Sequence, residues 1–466
     1  MDANRGLVLA MEETMRERSA CNSLVHRTRN RVGILGNVVV LLSLTILPVG
    51  SVHALSLLSQ ATWGGADSEV AEGVATASDG SAYLGGRTRS FMVHHGSIFL
   101  VKFASDGTTL DWQRVWEGPS TFIDDVATDI TAGPDGSVYV TGSTLGVGGD
   151  AILLKFDPDG TLVWQRSWGG SAFEEGEAVA VAADGSVYVV GGTSSFGSGS
   201  SNLFVLKFAA DGTLVWQKIR ADVSGDAVAV GPDGSLYVAG SALRPGTVSD
   251  FDLVVLKLAP DGSLVWQREY AAGNVVDARG GMKVAIDGSV YVVGGFQAPK
   301  MGLFDLDALI VKLAPDGGLV WDRSWGGRSG DDAEGVALAA DGTVFIGGIT
   351  NSFGSGNDDA FVLELLPSGK VTDAITWGGT GLDNGMGIGL AGDGSLRLAV
   401  TVEPPPYFFL KAPMKIVKPR GTLTTPAGSL LDGGGTVSDP GGVVSVPNGS
   451  LTFAGSFDAA LVRIAP

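Results

Sequence analysis

Thr161–Gly170 reads TLVWQRSWGG, and the chain repeats it. TLVWQK starts at Thr213, SLVWQR at Ser263 and GLVWDRSWGG at Gly318. An apolar run with Val and Trp, entered through a turn and left through two glycines, has the composition of a β-strand. Working outward, each copy closes a unit of about 50 residues, and a fixed period of that size takes precedence over any domain count drawn from length. The units align on an Asp-Gly or Asn-Gly turn at Asp79, Asp135, Asp184, Asp233, Asp287, Asp341, Asp393 and Asn448, with spacings of 56, 49, 49, 54, 54, 52 and 55.

Each unit holds four extended pieces. In the third, Ala178–Ala183 (AVAVAA) is followed by Asp184-Gly185, then SVYVVGG from Ser186, a Gly/Ser loop, LFVLKF from Leu203, a second turn at Asp211-Gly212, and TLVWQK. Asp-Gly turns between short β-rich runs describe antiparallel strands, with glycine free to take a positive φ. No stretch shows a convincing helical period. Repeated four-stranded antiparallel sheets are the pattern of an all-β β-propeller. The alanine-rich first strand suits the crowded axis. All ten tryptophans fall in or at the end of the fourth strand, where blades diverge and volume must be filled.

Leu55–Trp63 (LSLLSQATW) aligns with a fourth strand, and the C-terminus, FDAALVRIAP from Phe457, stops after a third strand. The two ends are therefore expected to complete one blade and close the ring, which removes free sheet edges. The expectation is eight blades. Met414–Leu423 (MKIVKPRGTL) is read as third strand, turn and fourth-strand start of a divergent unit. Seven blades is the alternative, if residues 394–440 form an irregular excursion.

Unit six, WGGRSGDDAEGVALAADGTVFIGGITNSFGSGNDDAFVLEL (Trp325–Leu365), carries Trp-Gly-Gly, an acidic pair, Asp-Gly-x-Val, Gly-x-Thr-x-Ser and Asp-Ala-Phe-Val. It resembles the bacterial beta-propeller repeat family (SBBP repeat), strongly over residues 63–370 and weakly over 371–466. The resemblance implies exported or surface proteins and brings no catalytic residues with it.

Composition narrows the function. Residues 1–54 read as a signal peptide: basic residues from Arg16 to Arg31, the uncharged run Val32–Gly50, and a small-x-Ala site at Val52-His53-Ala54. Uncleaved, the same run is just long enough for a membrane anchor. Residues 55–466 would then form a single domain, with no membrane span, carrying 25 basic and 46 acidic residues and a net charge of −21. That disfavours nucleic acid as a partner. The only cysteine, Cys21, lies in the leader, so the exported domain has no thiol or disulfide chemistry. The expected localisation is periplasm, cell surface or exterior, and the expected state a monomer.

Ten residues before each anchor turn stand Glu69, Asp125, Glu174, Val223, Asp277, Asp331, Asp383 and Ser438. The six acids are expected to ring one mouth of the channel, where they could hold Ca²⁺ or a basic partner, or else cap turns with their side-chain oxygens. A second set, Asp150, Asp252, Asp307, Asp359 and Asp458, precedes the third strands and reads as turn-forming. His94-His95 is a solvated loop pair rather than a metal signal. Lys411, Lys415, Lys418 and Arg420 make one basic island and a candidate partner-binding face.

The expected function is a non-enzymatic binding or scaffold module that uses its loop faces, with a protein or glycan ligand and no cofactor, Ca²⁺ being the one ion considered. Two alternatives stand beside it. One is an enzyme: the Asp-Gly-x-Leu-Val-Trp segments are similar to the tryptophan-docking segments of pyrroloquinoline quinone dehydrogenases, and the many carboxylates allow a glycosidase or lyase. The other is a structural cell-surface component.

Overall fold

The computed structural model describes residues 54–91, 96–118, 124–144, 148–198, 202–248, 250–271, 278–279, 281–297, 306–403, 407–412, 414, 416–417, 422–424, 431–432, 436–438, 443–445 and 457–466. Residues 1–53, with the leader, lie outside them. Among the described residues there is no helix, and so none long and apolar enough to cross a membrane.

The chain forms seven antiparallel four-stranded blades, not eight. The third is typical: Glu174–Val181 innermost, then Val187–Thr193, Asn202–Phe208 and Leu214–Ala221. The middle two strands are buried almost throughout because blades cover both their faces, so they read as continuous apolar runs. The inner strands alternate, as Glu69–Thr76 does with every second residue buried, because one face looks into a channel. Neighbouring inner strands contact one another around a complete cycle. In the turn of the third blade only Gly185 needs the left-handed region (φ 82°), and Asp184 Oδ1 accepts the Ser186 N–H at 2.9 Å to hold it.

The tryptophans divide into two jobs. Trp63, Trp116, Trp168, Trp325 and Trp377 are fully buried between blades. Trp112, Trp164, Trp216, Trp266 and Trp321 each donate Nε1 to a carbonyl in the next blade's second turn, as Trp164 does to Ala210 at 3.2 Å. Arg166, stacked on Trp164, adds Nε to the Gly212 carbonyl at 2.8 Å.

Blade seven closes the ring. It consists of Asp383–Leu390, Leu396–Val402, Asp458–Ala465 and, outermost, the N-terminal strand Ser56–Trp63, which pairs antiparallel with Asp458–Ala465. Between its second and third strands the chain leaves the blade for more than fifty residues. This is the stretch read from sequence as an eighth blade, and it builds none. Its described strands are two to four residues long, too short for a blade: Phe408–Lys411, Ile416–Val417, Thr422–Thr424, Leu431–Asp432, Thr436–Ser438 and Val443–Ser445. Each adds a fifth, outermost strand to a different blade, in the order six, five, four, three, two, one. The segment is a belt running backwards around the circumference. The expected eighth turn, Asn448-Gly449, lies outside the described residues.

Candidate functional site

The inner strands of all seven blades line a channel cavity of about 380 Å³. Five carboxylates face it, Glu72, Asp129, Glu177, Asp226 and Glu334, together with Arg279 and Lys283 from the fifth blade. Local backbone irregularity places several of them. The pairing of first and second strands shifts register between Ala71 and Gly73, Ala127 and Asp129, Gly176 and Ala178, Ala333 and Gly335, and Gly385 and Gly387. The extra residue at each bulge is Glu72, Thr128, Glu177, Glu334 or Met386. A β-bulge leaves that residue out of the ladder and re-aims its side chain, here at the axis.

Crowding perturbs these acids. Burial raises Glu177 to about 8, reinforced by Glu175, Asp226 and Glu72 and opposed by Arg279. Glu72 is raised to about 7, again first by burial, with Arg87 opposing and Glu334 and Glu175 adding. Asp129 is raised to about 6 by burial, against the N–H groups of Val179 (2.9 Å) and Ile130 (2.8 Å) and the charge of Lys283. Desolvation favours the protonated acid in each case, and like charge adds to it at Glu177 and Glu72. A clefted cluster of this kind is a functional-site pattern.

The acids singled out from sequence sit elsewhere. Glu69, Asp125, Glu174, Asp331 and Asp383 are at most 3 % exposed and are not among the channel-lining residues. Each accepts an N–H from the crossover entering its strand: Glu69 from Gly65 (2.9 Å), Asp125 from Gly118 (2.6 Å), Glu174 from Gly170 (2.8 Å), Asp331 from Gly327 (2.7 Å) and Asp383 from Gly379 (2.5 Å). Hydroxyls add to this, Thr88 to Glu69 and Thr193 to Glu174, both at 2.8 Å. Asp277 lies outside the described residues.

The second acidic set joins the first in pairs. A Cβ on Gly64 would lie 2.1 Å from Asp458 Oδ1 and 2.5 Å from Glu69 Oε2. One on Gly169 would lie 2.1 Å from Asp150 Oδ1 and 2.8 Å from Glu174 Oε2, and one on Gly326 2.3 Å from Asp307 Oδ1 and 2.8 Å from Asp331 Oδ2. Only glycine fits between two carboxylates at these junctions. At Gly378 the flanking carboxylate is Asp359, and burial, with Asp359 adding, raises Asp383 to about 6. Asp252 is held by Arg244, whose Nε donates to it at 3.0 Å. Among the described residues no three His, Cys, Asp or Glu side chains are placed to hold a metal ion.

Of the basic island, Lys411 pairs with Asp373 at 2.5 Å and anchors the start of the belt. Lys415, Lys418, Arg420, His94 and His95 lie outside the described residues. The channel acids were missed from sequence. Their signal was an acid followed by Gly or Ala, Val and Ala, at Glu72, Glu177, Asp226 and Glu334.

A family model described as a domain of unknown function (DUF5122) beta-propeller matches residues 133–162 and 182–214, which supports a β-propeller repeat protein. No curated protein sequence matches the chain. Among solved structures, a puromycin hydrolase is 14 % identical with a TM-score of 0.43, over 77 % of this chain and 54 % of that one, so the chain spans about half of its length. The β-propeller domain of the trilobed protease from Pyrococcus furiosus is 11 % identical (TM-score 0.43, 76 % and 96 % covered). Sqt1 from Chaetomium thermophilum, bound to the N-terminus of ribosomal protein L10, is 13 % identical (TM-score 0.42, 86 % and 98 % covered).

Proposed function

We propose that this protein is an exported, non-enzymatic binding propeller whose acidic channel receives a positively charged organic group, such as a lysine or arginine side chain of a partner protein. The observation that carries this reading is the convergence of Glu72, Glu177, Asp226 and Glu334 on one cavity. Its size, about 380 Å³, falls in the range of small-molecule pockets, roughly 300–1,000 Å³, and is generous for a bare ion. The negative channel steers a cation inward. Export rests on the basic leader, its apolar run and the cysteine-free remainder.

A cation entering the channel lowers the acids' pKa values and expels their protons, so its affinity rises with pH. Calorimetry with arginine amide at pH 6 and pH 8 tests this. Tighter binding at pH 8, lost in Glu177→Gln/Glu334→Gln, supports it. Binding that is indifferent to both substitutions ends it.

A second reading draws on Glu177, whose carboxyl burial raises to about 8, with Glu175 and Asp226 the first carboxylates to add to the rise. A raised carboxylic acid next to a second carboxyl is the general-acid pattern of glycosidases and lyases. Glycan turnover abolished by Glu177→Gln would favour it.

A further inference from the structure

The belt pairs with the blades at a constant place. Phe409, Ile416, Leu423, Val437 and Val444 stand opposite Trp377, Trp325, Tyr270, Trp168 and Trp116, the equivalent residues near the end of five fourth strands, and in the remaining blade Leu431 pairs with Ile219, the residue just before the equivalent Arg220. The steps along the belt between these five are seven, seven, fourteen and seven residues, the fourteen spanning two blades. From residue 420 the sequence shows the same period: RGTLTTP, AGSLLDG, GGTVSDP, GGVVSVP and NGSLTFA. Glycine stands second in every unit, and an apolar residue fourth.

We propose that the outer edge of each fourth strand is a peptide-binding site for an extended segment with an apolar residue every seventh position, and that the chain fills these sites with its own belt. An edge strand offers unpaired N–H and C=O groups, and adding a strand to it is an established mode of peptide recognition. Each pairing here is only two to four residues, too short to hold alone. Six in series hold because each raises the effective concentration of the next. Seven residues of belt advance the pairing by one blade and fourteen by two, so the repeat is a ruler for one blade-to-blade step. Both ends of the belt return to blade seven, which makes it a hoop.

Hydrogen exchange on two full-length variants tests this. In the first, residues 427–433 are replaced by seven Gly and Ser residues. In the second, the same seven are deleted. In the first, amides at Lys218–Ile219 should exchange at least tenfold faster while Ser167–Gly169 and Val115–Glu117 keep their protection, and a synthetic peptide of residues 427–433 added in trans should slow Lys218–Ile219 again where a scrambled peptide does not. In the second, protection should be lost at the later edges too, because the belt is one step short. Unchanged exchange at Lys218–Ile219 in the first variant, or no response to the peptide, overturns the recognition site. Full protection at the later edges in the second overturns the ruler.

Discussion

Trp377 donates its indole Nε1 to Gln60 Oε1 at 2.8 Å, across 317 positions of sequence. The bond spans the seam between blade six and the N-terminal strand of blade seven. The same bond links other neighbouring blades: Trp63 to Gln113 (2.7 Å), Trp116 to Gln165 (2.8 Å) and Trp168 to Gln217 (2.6 Å). The closing seam is thus built with the chemistry of an internal junction, and the strand supplied by the far end of the chain is an equal member of the ring.

That equality is measurable. Gln60→Leu leaves the Trp377 N–H without its acceptor and should cost about 1–3 kcal/mol. Gln217→Leu, which takes the acceptor from Trp168 between blades two and three, should cost the same at an internal junction. Denaturant unfolding of both variants checks this. A much smaller effect for Gln60→Leu would mean that the seam carries little of the ring's stability.

Gly212 and Gly394 both have positive φ, 80° and 81°, but only one is enclosed. A Cβ on Gly212 would lie 3.0 Å from both Arg166 Nη2 and Trp164 Cδ2, whereas Gly394 has nothing within 4 Å. Gly394→Ala should therefore cost about 1–2 kcal/mol of backbone strain. Gly212→Ala should cost about 1 kcal/mol more by disturbing the hydrogen bonds of the Trp164–Arg166 dock. The difference between the two, not either value, is the test.

Gly169 separates Asp150 from Glu174. Gly169→Ala should destabilise by about 1–3 kcal/mol through overpacking. Adding Asp150→Ala removes the oxygen 2.1 Å from the new Cβ and should recover part of the loss. Thermal melts of the single and double variants decide it, and a fully additive loss would contradict the pairing.

Glu177 should make stability fall as pH rises. Its folded pKa, about 8, lies above the ordinary 4.5, so the folded state holds the extra proton between those values. Its contribution favours folding below about pH 4.5 and is lost as pH climbs through 8. Glu177→Gln should raise the melting temperature at pH 8 more than at pH 5. Equal shifts at both pH values would place Glu177 in a more hydrated setting than the channel provides.

Much of the architecture was legible in the sequence. The Asp-Gly turns need one glycine with positive φ, the apolar runs need cover, and the Trp-Gly-Gly crossovers need both their glycines; these are local demands, and TLVWQRSWGG states them each time it recurs. The count of blades was not legible, because Met414–Leu423 has the composition of a strand, turn and strand, and composition cannot tell a blade from strands hydrogen-bonded one by one to six other sheets. The site was half legible. Glu69, Glu174 and Asp331 were conspicuous for recurring, yet their oxygens face backbone N–H groups of their own crossovers. Glu72, Glu177 and Glu334 recur just as regularly, but a bulge, set by the match between two paired strands, turns them to the axis. What the sequence by itself determined is therefore what each unit does with its own fifty residues. Blade number, the belt's path and which acids share the channel depend on pairings between residues hundreds of positions apart, and only the closed ring decided them.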